Sequence, residues 1–261
     1  MAFKIKLPRL KNPEAETCVK DLISFFGYRN ISTDLKNNPN FPNPIDLISL
    51  YQLIILNKRI NILEIGSGWS TMICYLALMR NKKKYYSYVK DNLKYKNPFQ
   101  MISLDTDKYY LNESKKKFNK FIRRETKTSL KNIEFIYSQS KMSIVNGQYC
   151  TILSNLPKFN PDLIYLDGPW HMQTKKNKNF NFSNRNIDLQ PMSADVLLLE
   201  PFLRPGTILV VDGRGSNSEF LKNNFKRNWN YKYLKTTDQH IFSLDSKSWG
   251  HYSEKQLNFY K

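Results

Sequence analysis

The chain has 261 residues, 41 Lys and Arg against 22 Asp and Glu, and a net charge of +19, with 41% hydrophobic and 14% aromatic content. That balance suits one large globular domain, or a domain with an appendage, and excludes a disordered chain. The opening MAFKIKLPRL lacks the apolar core of a secretory signal, and no aliphatic run is long enough to span a bilayer. The three scattered cysteines, Cys18, Cys74 and Cys150, form neither a disulfide framework nor a zinc spacing. A soluble, cytoplasmic protein with free thiols is therefore expected. The basic excess leaves two readings open: attraction to an anionic partner such as nucleic acid, a phosphorylated sugar or an acidic membrane face, or a solvated surface enriched by coding bias.

In chain order, Pro13-Glu14 opens a helical pattern that runs through residues 18–26 and stops at Gly27. An Asn- and Pro-rich loop, 37–44, leads to a second apolar run at 45–56, long enough for a helix. These form an expected N-terminal helical cap, residues 1–58. From residue 60, short apolar runs at 60–65, 100–105, 133–137, 162–167 and 207–212 alternate with candidate helices near 70–80, 107–124 and 188–202. That alternation predicts an α/β domain over 59–245, a Rossmann-like, doubly wound, mostly parallel seven-stranded sheet. Runs at 231–235 and 240–244 predict a C-terminal antiparallel hairpin, with 246–261 left as a tail. Segments 81–98 and 173–186 look inserted, as lids or surface loops.

In such sheets ligands lie beyond the carboxyl ends of the strands, where strand order reverses. Polar residues collect there. The first strand ends in Glu64 and Gly66-Ser67-Gly68, the second in Asp105, the fourth in Asp167 and the fifth in Asp212. Gly66 and Gly68 allow a sharp turn and close backbone approach. Ser70 or Thr71 can cap the following helix and leave amide donors near a ligand. Asp105 stands where ribose hydroxyls are held, although the interval from the glycines exceeds the usual ~20 residues, a difference that segment 81–98 accounts for.

LEIGSGWST, ISLDTD, PDLIYLDGPW and RPGTILVVDGR, in that order, resemble the successive motifs of class I S-adenosylmethionine-dependent methyltransferases over about residues 60–245. Thr71 stands where a dinucleotide enzyme carries its third glycine. The resemblance implies that Glu64 and the Gly66–Gly68 loop hold the methionine portion of S-adenosylmethionine, that Asp105 binds ribose, and that Gln139 and Ser140 contact adenine.

Enzymes that methylate bases or glutamine carry Asp/Asn-Pro-Pro-aromatic at the fourth motif. Here the residues are Asp167-Gly168-Pro169-Trp170, with glycine for one proline. His171 and Asp212-Gly213-Arg214 look more like families that methylate hydroxyls of sugars and other small molecules. Methyl transfer to a hydroxyl needs in-line placement and removal of a proton. His171 or Asp167 is the expected base, with Asp212 orienting the acceptor or the base, Asp167 also beside the cofactor, and Trp170 and Arg214 against the substrate. Arg214 could instead pair with a neighbouring carboxylate, and a Lys-rich cluster at 175–178 could attract an anion. No metal is expected, although Asp167 and Asp212 offer oxygen ligands that would suit magnesium. The preferred activity is O-methylation of a small, sugar-like or anionic acceptor. The alternatives are an RNA or nucleobase methyltransferase, or a non-catalytic nucleic-acid-binding protein on this fold.

Overall fold

The computed structural model describes residues 3–9, 11–28, 42–125, 132–169, 174 and 191–261. Helix α1 (Pro13–Phe25) begins at the expected Pro13, because the Asn12 side chain accepts from the Ala15 amide and Pro13 fits the first turn. Helix α2 (Pro44–Leu56) repeats the device, with Asn43 accepting from the Ile45 amide.

The main sheet contains β1 (Ile62–Ile65), β2 (Met101–Asp105), β3 (Ile133–Tyr137), β6 (Leu163–Leu166), β8 (Ile208–Asp212), β9 (Trp229–Leu234) and β10 (Gln239–Leu244). Their spatial order is β3-β2-β1-β6-β8-β10-β9, parallel except for β10, which runs antiparallel to both neighbours. The expected fold class is the one observed. Order reverses between β1 and β6, so the crevice lies where Ile65 pairs with Leu166.

Alternate strand residues divide the core. Ile62, Met101, Leu163, Tyr165, Ile208 and Val210 face one side, against α1, α2, α3 (Trp69–Asn92) and α4 (Lys108–Glu125). Leu63, Ile65, Leu104, Ile164, Leu166 and Val211 face the other, against α5 (Asp195–Leu199) and α6 (Gly215–Asn224). The cap thus shares the main hydrophobic core.

Four elements depart from the sequence expectation. Helix α3 does not end near residue 80 but runs to Asn92, because 81–92 contains no Gly or Pro and buries Asn81 and Val89. The Asn81 amide donates to the carbonyls of Ile54 and Arg59 and ties α3 to the end of α2. The candidate helix at 188–202 is, in its described part, only α5 followed by a 3-10 turn at Glu200–Phe202. Strands β4 (Ser140–Val145) and β5 (Gln148–Leu153) form a hairpin about Asn146-Gly147, completed as a small sheet by β7 (Met192–Ser193).

The fourth departure is the segment assigned as a tail. It carries α7 (His251–Tyr260), whose Leu257, Phe259 and Tyr260 enter the core. Tyr260 donates its hydroxyl to buried Asp162 at 2.7 Å, and its ring lies 3.7 Å from the Arg59 guanidinium carbon. Asp162 also accepts from the amides of Ile60 and Asn61. Tyr260→Phe is expected to leave that carboxylate short of a donor and cost about 1–3 kcal/mol, read as a lower urea midpoint with an unchanged slope.

Candidate functional site

Glu64 lies within β1 and is fully buried. Ser70, Thr71 and Ser103 each donate a hydroxyl to its carboxylate at 2.6 Å. Burial raises its carboxyl to about 7 against the lowering effect of those three hydroxyls. Glu64 therefore sits beneath the loop and holds its shape. Thr71, not Ser70, takes part in capping α3. Gly68 is the N-cap residue, and its amide donates to Thr71 Oγ1, while both hydroxyls turn inward to Glu64.

The loop above is fixed from two sides. The Ser67 amide and hydroxyl both donate to Asp105 Oδ2, at 2.9 and 2.6 Å, and the Asp107 amide donates to Oδ1. Gly66 has φ of +102°, and a Cβ there would meet the backbone of Asp167 and Gly168 at 2.9 Å. Gly168 faces it, with a Cβ placed 3.0 Å from Gly66 Cα. The loops after β1 and β6 touch backbone to backbone, which gives a steric reason for glycine in Asp167-Gly168-Pro169. Over Gly68, by contrast, a Cβ would meet no atom within 4 Å.

Three clefts meet at Asp167. One of about 290 Å³ is lined by Gly66, Ser67, Asp105, Asp107, Leu153 and Pro169. A second, of about 500 Å³, includes Gly68, Trp69, Ser70, Tyr165, Asp212 and Asp46. The third, of about 480 Å³, includes Thr151, Ser193, Asp212, Arg214 and Asn217. Asp167 lines all three.

The Asp167 side chain is 51% exposed at this junction. Its carboxyl is nevertheless raised to about 7, first by the desolvating walls and then by Asp212, with Arg214 opposing. Arg214 donates Nη2 to the Asp167 carbonyl at 2.9 Å and Nη1 to the Pro169 carbonyl at 3.2 Å. It therefore braces the turn carrying Asp167 while still lining two clefts. Asp212 Oδ2 accepts the Tyr165 hydroxyl at 2.6 Å, and Oδ1 is buried with no hydrogen-bond partner among the described residues. Burial is the main cause of its raised carboxyl, opposed by the Tyr165 hydrogen bond.

Gln139 and Ser140 are not brought into the cleft beside Asp105. Ser140 opens β4 and is fully buried, its hydroxyl paired with Thr174 at 3.1 Å, and the Gln139 carbonyl accepts from the Ser154 amide. Trp170, His171 and residues 175–178 lie outside the described residues. His240 pairs with the Tyr231 hydroxyl and stacks on Tyr233, a structural role. Trp69 packs edge-on against Phe26 at the rim of the second cleft.

Among the described residues no group of three or more His, Cys, Asp or Glu side chains is placed to hold a metal ion. Among the described residues no helix is long and apolar enough to cross a membrane.

Two members of the constellation were absent from the sequence expectation. Tyr165 lies mid-strand and reads as core, yet its hydroxyl reaches Asp212. Asp46, in the first turn of α2, is delivered to the strand ends by tertiary packing alone.

No family model and no curated protein matches the chain. Similar solved structures include the SAH-bound Podospora anserina methyltransferase PaMTH1, 14% identical, with a TM-score of 0.49 over 90% of this chain and 89% of that one. The Bacillus cereus O-methyltransferase in complex with SAH is 11% identical, with a TM-score of 0.43 over 88% and 91%. The Streptomyces achromogenes O-methyltransferase TomG, in complex with SAM, is 12% identical, with a TM-score of 0.40 over 91% and 92%.

Proposed function

We propose that this protein is an S-adenosylmethionine-dependent methyltransferase that acts on a hydroxyl of a small molecule, a sugar or glycan intermediate. The observation that carries this reading is the meeting of three clefts at one carboxylate, Asp167, beside a glycine loop at the point where strand order reverses. The first two clefts offer room for a nucleoside and its amino-acid end, and the third for an acceptor.

The residues fit such a donor. The open side of Gly68 leaves backbone accessible, and Asp105 can exchange its bonds to Ser67 for ribose hydroxyls. Bound there, S-adenosylmethionine would supply an electrophilic methyl group. Asp167, with its carboxyl near neutrality, would take the acceptor hydroxyl proton. Asp212, fixed by Tyr165, would help orient that hydroxyl, and Arg214 would keep the Asp167 turn in place.

Calorimetric titration with S-adenosylhomocysteine is expected to give saturable, one-site binding. Radiolabelled methyl transfer should then appear with sugar or glycan acceptors and not with RNA oligonucleotides. Absence of saturable binding overturns the donor assignment. Labelling of RNA alone transfers the activity to a nucleic-acid acceptor.

A further inference from the structure

The N-terminal cap contributes a carboxylate to the second cleft. Asp46 lines it with Gly68, Ser70, Asp167 and Asp212, and its Oδ1 is buried with no hydrogen-bond partner among the described residues. Its position is secured from the sheet. The Gln239 side-chain amide donates to the Asp46 carbonyl at 3.3 Å and accepts the Ser49 hydroxyl at 2.6 Å. Gln239 is the β10 residue in register with Asp212 on β8. The start of α2 is thereby tied to the strand end that carries Asp212.

Charge indicates what belongs opposite Asp46. Among the described residues, Asp46, Glu113, Asp167 and Asp212 line this cleft against Lys117 alone. A buried carboxylate oxygen without a donor is costly, and an ammonium group supplies both the compensating charge and three N–H donors. Burial, followed by the charge of Asp212, raises the Asp46 carboxyl to about 7 against a lowering hydrogen bond from the Asn43 side chain.

We propose that Asp46 is a binding determinant for the ammonium of the methyl donor's amino-acid end, supplied by the cap helix and not by the strand-end loops. This rests on the donor assignment above and adds a residue that none of the four sequence motifs contains. The cap is then part of the binding site, and the nucleoside half of the ligand is held independently of it.

The test compares S-adenosylhomocysteine with 5′-deoxy-5′-methylthioadenosine, which keeps the nucleoside and lacks the amino acid. Asp46→Asn is expected to weaken S-adenosylhomocysteine about 10-fold in calorimetry at pH 7.5, the scale of one lost charge-assisted bond. The truncated nucleoside should bind the variant as it binds the wild type. Asp46→Glu, which keeps the charge, should recover part of the loss and guards against an Asn variant that fails to fold. The proposal is overturned if Asp46→Asn and Asp46→Glu both bind S-adenosylhomocysteine like wild type. Equal weakening of both ligands also overturns it, since that marks a merely structural role. A wild-type protein that binds neither ligand removes the donor assignment itself, a result distinct from either.

Discussion

Replacing Asp167 by asparagine is expected to lower turnover by about 10²- to 10⁴-fold, with S-adenosylhomocysteine affinity held within about threefold, or ~0.7 kcal/mol. Asparagine keeps the shape of the side chain and leaves the Arg214 bonds to the backbone carbonyls of Asp167 and Pro169 intact. What it removes is the proton acceptor. A base must be ionised to act, and this carboxyl is raised to about 7, so wild-type turnover should rise with pH and level off above neutrality. The residual rate of the variant should lack that inflection.

The same shift supplies a control for folding. A carboxyl raised in the folded state stabilises the ligand-free protein below its ordinary value of 3.8, and that contribution is lost as pH rises through about 7. The amide cannot ionise, so the variant should melt no lower than wild type at pH 8. A variant that turns over normally, or that keeps the neutral inflection, assigns the base elsewhere.

Gly66→Ala is expected to cost about 3 kcal/mol, from a left-handed backbone that disfavours a side chain and a Cβ forced against the next loop. The contact is with backbone atoms of Asp167 and Gly168 at 2.9 Å, so no flexible side chain can yield. Gly68→Ala is the matched comparison. Its φ of −180° is ordinary extended backbone and the space around it is open, so folding should change by less than about 1 kcal/mol. Urea midpoints measure both. A Gly66→Ala protein as stable as wild type would show that the two loops can separate.

The parts of this structure legible in the sequence are those written in local pattern. Alternating apolar runs and acids at their ends gave the five parallel strands and placed Asp105, Asp167 and Asp212 correctly at the crevice. The β4–β5 hairpin carried a signal that went unused. Asn146-Gly147 stands between two strand-like segments, and such a pair favours a tight turn with positive φ, as both residues show. That turn starts a strand at Ser140, whose partner across the hairpin, Leu153, lines the cleft beside Asp105. Composition ends helix α3 near residue 80, since a run of Lys and Tyr resembles a loop, whereas buried Asn81 and Val89 continue the helical face.

Other features had no local signature. Glu64 reads as a ligand residue until three hydroxyls from two elements are seen to close over it. Asp46 belongs to the site only because Gln239, 193 positions away, bonds to its carbonyl.

The contact between Gly66 and Gly168 bears on which residues the fourth motif can accept. Restoring the proline of the amino-group motif at position 168 would place a ring where Gly66 Cα and N already lie 3.0 and 3.1 Å from a Cβ. That substitution would be tolerated only after the partner loop had moved, and enlarging residue 66 would in turn require position 168 to retreat. The two positions are therefore coupled: once one substitution has forced the loops apart, a second adds less than its own separate cost. A change at position 168 is thus tied to the loop after β1, and Gly168→Pro alone should lower the urea midpoint.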